Sequence, residues 1–115
     1  MQPIGCIIEA LDTVFKALAD TSRRAVLDTL YLQDGQTLTE LCAVADFSRQ
    51  GLSKHLRILE EAGLVVTEWV GREKRHYLNP IPIQEISERW VGKFAQRRAE
   101  SVIALREALE EKDDG

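Results

Sequence analysis

Two short amphipathic segments joined by a single tight turn fill residues 37–63, and a β-branched run with a charged interruption follows them. Few folds accommodate that order. Thr37 opens the first segment, in which Leu38, Leu41, Cys42 and Ala45 recur at i, i+3, i+4 and i+7, the spacing of one buried helical stripe. Asp46-Phe47 leads into a tight turn, and the Ser48 hydroxyl can then accept backbone N–H groups as N-cap of a second helix. Gly63 ends that helix by supplying a left-handed C′ position. Two helices so connected make a helix-turn-helix.

The second of these helices has two chemically distinct sides. With Leu52 as origin and about 100° per residue, Leu56 and Leu59 fall within about 40° of it and form a core face. Ser53, Arg57, Gln50 and Lys54 fall at about 100°, 140°, 160° and 200° and share the outward face. Hydroxyl, guanidinium, amide and ammonium groups on one exposed stripe suit the major groove, where they can meet base edges and phosphates. Arg49, at the helix start, is within reach of the same partner. A protein-docking face would instead show exposed aromatic or aliphatic side chains here. A winged helix kept for protein contact without DNA binding is therefore the rival reading.

Leu64-Val65-Val66-Thr67-Glu68-Trp69-Val70 reads as a strand, Gly71 interrupts it, and Arg75-His76-Tyr77-Leu78 resumes an extended pattern. The expectation is a β-hairpin, a wing, with Arg72, Lys74 and Arg75 near its tip. Asn79-Pro80-Ile81-Pro82 stops the second strand, since proline lacks the ladder donor. Before the helix-turn-helix, one helix is expected over Ile8–Ala19 with Leu11, Phe15 and Leu18 on one face, after an arm of residues 1–8. Asp20, Thr21 and Ser22 supply a break and cap. A second helix over Ser22–Tyr31 carries Val26, Leu27, Leu30 and Tyr31, and Asp34-Gly35 turns out of it. From Ile83 to about residue 110 the spacing predicts one long helix with Ile83, Ile86, Trp90, Phe94, Val102, Leu105 and Leu109 on its apolar side. The fold class is mainly α with a small β-hairpin: a single winged helix-turn-helix domain over 1–115 with a long C-terminal dimerisation helix.

A chain of 115 residues holds one modest core, so a second copy readily covers a long apolar terminal helix. Leu11, Phe15, Ile86, Trp90, Phe94, Val102 and Leu105 are the expected dimer-interface residues. The net charge of -4 does not exclude a nucleic-acid partner. Residues 48–76 carry six Lys/Arg against four acids, and the excess acid lies elsewhere. Screening over roughly 10 Å lets a local basic surface meet phosphate while a distant acidic one contributes little. The first residues resemble neither a signal peptide nor a spanning segment, and Cys6 and Cys42 form no disulfide pattern, so a cytoplasmic protein is expected. There is no Gly-rich phosphate loop, HExxH or GxSxG, and no catalytic residue or cofactor is predicted.

The stretches VFKALADTSRRAVLDTL, TLTELCAVADFSRQGLSKHLRILEEAGLV and VGREKRHYLNP together resemble the ArsR/SmtB family of bacterial winged-helix repressors, over about Val14–Pro80. That resemblance implies a homodimer, joined by its first and last helices, that binds an inverted-repeat operator and often represses its own operon. It implies recognition-helix contacts from Ser48, Arg49, Gln50, Ser53, Lys54 and Arg57, and wing contacts from Arg72, Lys74 and Arg75.

The family's metal sites are not reproduced. Its arsenic-sensing type reads Glu-Leu-Cys-x-Cys in the third helix, whereas Glu40-Leu41-Cys42 is followed by Ala43-Val44. Its zinc-sensing type uses histidine on the last helix, and no histidine follows His76. Cys42 on the apolar stripe reads as a small buried hydrophobe. The alternative pairs Cys6 with Cys42 as a thiol-based metal or redox sensor, although two thiolates leave a tetrahedral site incomplete. His55, beside the core face, reads as a packed, hydrogen-bonded histidine, and His76 either supports the wing or contacts phosphate.

Overall fold

A computed structural model describes residues 4–44 and 46–113, with side chains given for all of these except residues 4–9, 93, 95, 96, 112 and 113. The elements are α1 (Ile4–Leu18), α2 (Thr21–Leu32), α3 (Leu38–Val44), α4 (Arg49–Glu61), β1 (Val65–Val70), β2 (Glu73–Leu78), α5 (Ile81–Trp90) and α6 (Gly92–Asp113). Residues up to Ile83 form one compact unit and those from Gln84 onward a second.

The core of the first unit is aliphatic. Val26, Leu27 and Leu30 from α2, Leu41 from α3 and Leu52, Leu56 and Leu59 from α4 are all buried, with Leu64 and Val65 closing the layer. Burying one leucine contributes roughly 1.5–3 kcal/mol. The α1 stripe is rotated from the expected one: Val14 and Ala17 are buried, Leu11 and Leu18 are half-buried, and Phe15 is exposed. Tyr31 is likewise outside, at 78% exposure, because it lies about 100° round α2 from the fully buried Leu30. Residues 4–8, expected as an arm, are already helical.

Local chemistry sets the boundaries. Asp20, extended at φ -100° and ψ 127°, caps α2 by accepting the Ser22 and Arg23 N–H groups at 2.7 and 3.2 Å. Arg23 donates through Nε and Nη2 to the Ala17 and Lys16 carbonyls at 2.9 Å each, satisfying the end of α1. Burial opposes ionisation of Asp20, but the Arg23 and Ser22 N–H groups, with the Arg23 and His55 charges, hold its carboxyl below the ordinary 3.8. A depressed carboxylate stabilises the fold above its unfolded pKa and loses that contribution as pH falls through the lower folded value. Asp20→Asn is therefore expected to lower the unfolding midpoint at pH 7. Its deficit should shrink as pH drops below 3.8, and a thermal-melt series from pH 7 to 2 checks this.

At the far end of α4, Gly63 at φ 76° donates to the Glu60 carbonyl and Leu64 to that of Leu59, both at 3.0 Å. This is the Schellman arrangement, and it turns the chain directly into β1. The strands pair antiparallel from Val65↔Leu78 to Val70↔Glu73, so Gly71 and Arg72 alone make the turn. Gly71 takes φ 65° at the first central position, as a II′ hairpin requires.

The C-terminal helix is not continuous. Its first part starts at Ile81, two residues early, because Pro82 sits in the first turn, where no N–H is needed. A break then falls at Val91, whose N–H closes the last turn of α5 on the Ser87 carbonyl, and α6 begins with Gly92, a poor helix former. In the second unit, Trp90, Phe94, Val102, Ile103, Leu105 and Leu109 are all more than 45% exposed, and Ile86 is half-buried.

Candidate nucleic-acid interface

The Ser48 hydroxyl accepts the Gly51 N–H at 3.0 Å and starts α4. A Cβ at Gly51 would stand 2.9 Å from that oxygen, so the cap and the absence of a side chain go together. The leucine face then fixes how α4 is rotated. Leu52, Leu56 and Leu59 are 0–3% exposed, which leaves Gln50, Ser53, Lys54 and Arg57 on the open side. They line a shallow concavity of about 760 Å³ together with Ser48 and Arg49. Arg49 Nη1 donates to Thr39 Oγ1 at 3.3 Å, so its guanidinium bridges α3 and the start of α4.

The three wing cations have different surroundings. Arg72 is exposed in the turn. Lys74 Nζ stands 3.3 Å from Glu60 Oε1 and links β2 to α4. Arg75 points elsewhere: its Nη1 donates to the Gly35 carbonyl at 3.2 Å and its Nη2 meets Glu73 Oε2 at 3.0 Å. The fold thus brings Arg72 and Lys74, but not Arg75, to a second cleft beside α4, one also lined by Arg49 and Ser53.

His76 is the pin of the wing. It is 4% exposed, and its backbone N–H and ring Nδ1–H both donate to the Gln36 carbonyl, at 2.8 and 2.9 Å. Its own carbonyl accepts the Gly35 N–H at 2.9 Å, and Asp34 Oδ1 accepts the Leu78 N–H at 2.8 Å. The buried Gln36 side chain donates to the Gln33 carbonyl at 2.7 Å. Of the two readings of His76, wing support is the one realised. The sequence marks Asp34 only as a turn residue and Gln36 not at all, because the strand residues they hold, Leu78 and His76, lie about 40 residues away.

His55 packs its ring edge against Phe47, with centroids 6.0 Å apart at 62°. The expected hydrogen bond is absent at Nδ1, which is buried without a partner. Cys42 is a half-buried free thiol, so it is less enclosed than expected. The Cys6 side chain and Ala45 lie outside the described residues. Among the described residues, no group of three His, Cys, Asp or Glu side chains is placed to hold a metal ion, and no helix is long and apolar enough to cross a membrane.

A capped helix with a polar, cationic outer face, a helix bracing its start and a pinned hairpin beside it together define a winged helix-turn-helix. Comparison with known proteins agrees. A helix-turn-helix domain family matches residues 18–68. An uncharacterised HTH-type transcriptional regulator of Bacillus subtilis, YuzN, is 35% identical over 86 residues, covering 70% of this chain and 94% of that protein. The transcriptional repressor SdpR of the same organism is 30% identical over 87 residues, covering 76% and 94%. An ArsR-like transcriptional regulator from Rhodococcus sp. RHA1 superposes with a TM-score of 0.69 at 28% identity, covering 89% of this chain and 94% of that one. The chain belongs to the ArsR family of winged-helix transcriptional regulators, and is a DNA-binding protein rather than an enzyme.

Proposed function

We propose that the protein is a homodimeric repressor that occupies an inverted-repeat operator. The observation that carries this reading is the division of α4, three buried leucines on one side and Gln50, Ser53, Lys54 and Arg57 on the other. In the bound state those four side chains face base edges in the major groove. Ser48 and Arg49 meet phosphate at the helix start, and Arg72 and Lys74 hold the flanking backbone. Arg75 serves by tying the wing to Gly35. Leu11 and Phe15 of α1, with Ile86, Trp90, Phe94, Val102 and Leu105, form the contact with the second copy. The exposure of Phe15, Trp90, Phe94, Val102 and Leu105 supports that assignment, since side chains of this size favour burial. The absence of aromatic or aliphatic groups from the outer face of α4 weighs against a protein-docking role.

Fluorescence anisotropy against the chain's own upstream DNA and a scrambled duplex, at two salt concentrations, tests this. The expected result is preference for the upstream fragment, a steep loss of affinity with salt, and sedimentation as a dimer. Two recognition helices entering successive major grooves require half-sites about 34–36 Å apart. Equal affinity for both duplexes, or a monomer at binding concentrations, contradicts the proposal.

A further inference from the structure

Trp69 has no evident role in holding the protein together. It is 66% exposed, and no hydrogen bond or ring contact engages it among the described residues. Yet it is not on the outer side of the hairpin. Strand alternation places Val65, Thr67 and Trp69 on one face, and their cross-strand partners Leu78, His76 and Lys74 share it. Val65 and His76 are buried on that face, so it is the one turned toward the helices. Trp69 continues it toward the hairpin turn and lines the second cleft, about 600 Å³ in volume.

Apart from Leu38 and Leu56, the other side chains lining that cleft are polar or charged. Arg72 and Lys74 stand on the wing side and Arg49, Ser53 and Glu60 on the α4 side. Of its acids, Glu60 is paired with Lys74 and Glu73 with Arg75. Arg49 and Arg72 have no ion-pair partner among the described residues, and Glu40 is the one acid in the same position. A flat indole beside guanidinium groups that lack a carboxylate partner matches a partner that alternates apolar rings with anions, and a nucleic-acid strand has that alternation in its deoxyribose and phosphate groups. The Lys74–Glu60 pair fits the same partner. Its side chains are 40% and 26% exposed, and pairs of that kind are worth little. An arriving phosphate can therefore take the ammonium from the carboxylate.

We infer that Trp69 is a further DNA-contacting residue, packing on the deoxyribose of the strand that enters the wing cleft while Lys74 exchanges Glu60 for its phosphate. This rests on the DNA-binding reading of α4 and extends it to a wall of the wing without base-reading groups. A sugar contact carries no sequence information, so it should act equally on any duplex.

The test titrates Trp69→Ala, Trp69→Phe, Glu60→Gln and Lys54→Ala against the upstream and scrambled duplexes, with intrinsic fluorescence recorded alongside anisotropy. Trp69→Ala is expected to weaken both duplexes by about tenfold, which is about 1.4 kcal/mol. Trp69→Phe should retain affinity within about threefold, since an aromatic ring still packs. Glu60→Gln should tighten binding by roughly threefold by removing the competitor for Lys74. In the wild type, DNA should shield tryptophan from acrylamide, and Trp69→Phe should abolish that shielding. Unchanged binding by Trp69→Ala, with Lys54→Ala weakened, overturns the inference and leaves the reading of α4 standing. Loss by Trp69→Ala confined to the upstream fragment also overturns it, because the contact would then read sequence. If neither Lys54→Ala nor Trp69→Ala changes affinity, the DNA reading of α4 itself fails and this inference falls with it.

Discussion

Replacing Lys54 and Arg57 together with alanine is expected to lower operator affinity by at least about 100-fold while leaving the unfolding midpoint nearly unchanged. Both side chains are exposed on the outer face of α4, and neither makes a hydrogen bond or ion pair within the protein among the described residues. Exposed positions of that kind shift stability by only about 0.5 kcal/mol in either direction. A cation bidentate to a base edge contributes roughly 1–3 kcal/mol of discrimination, and the proposed dimer would lose each contact twice. Where one of the two side chains meets phosphate instead, the log-log salt slope should flatten by about 0.9 for each contact removed. Anisotropy at several salt concentrations separates these roles: lost preference marks base reading, and a flatter slope with preference retained marks phosphate binding. Unchanged affinity at every salt concentration would falsify the assignment of this face to DNA.

The features that were legible in the sequence are the ones coded by neighbours along the chain. Leu52, Leu56 and Leu59 recur at helical spacing, Ser48 and Gly63 mark the ends, and together these fix which side of α4 faces out. Gly71 between two extended runs gave the wing for the same reason. The wing cations show where local reading was incomplete. Lys74 and Arg75 are adjacent in a strand, so their side chains leave opposite faces, and both could not serve one cleft. That much was available from alternation alone. Which of the two turns toward α4 was not, because it depends on the Gln36–His76 bridge, a pairing 40 residues apart. The interruption at Val91 was hidden differently. The apolar spacing of residues 83–109 continues across it, and a single glycine next to a regular pattern is a weak signal. In the sequence Trp69 is only a strand residue, since exposure is a property of what the folded chain leaves uncovered.

Leu52→Ala should have the reverse effect of the surface substitutions. Leu52 is fully buried, on the same face of α4 as the buried Leu56 and Leu59. Truncating a buried leucine costs roughly 2.7–5 kcal/mol, the spread reflecting how far the surroundings collapse. Domains of this class hold only about 5–15 kcal/mol in total, so the variant should melt more than about 10 °C below the parent. In the proposed dimer the midpoint is concentration-dependent, and the comparison therefore has to be made at one protein concentration. The fraction that stays folded should bind the operator with parental affinity, because the outer face of α4 is untouched. A urea titration combined with anisotropy in zero denaturant reads both quantities. A loss of less than about 1 kcal/mol would mean that the leucine face does not anchor α4, and that the orientation of Gln50, Ser53, Lys54 and Arg57 is set by something other than the core.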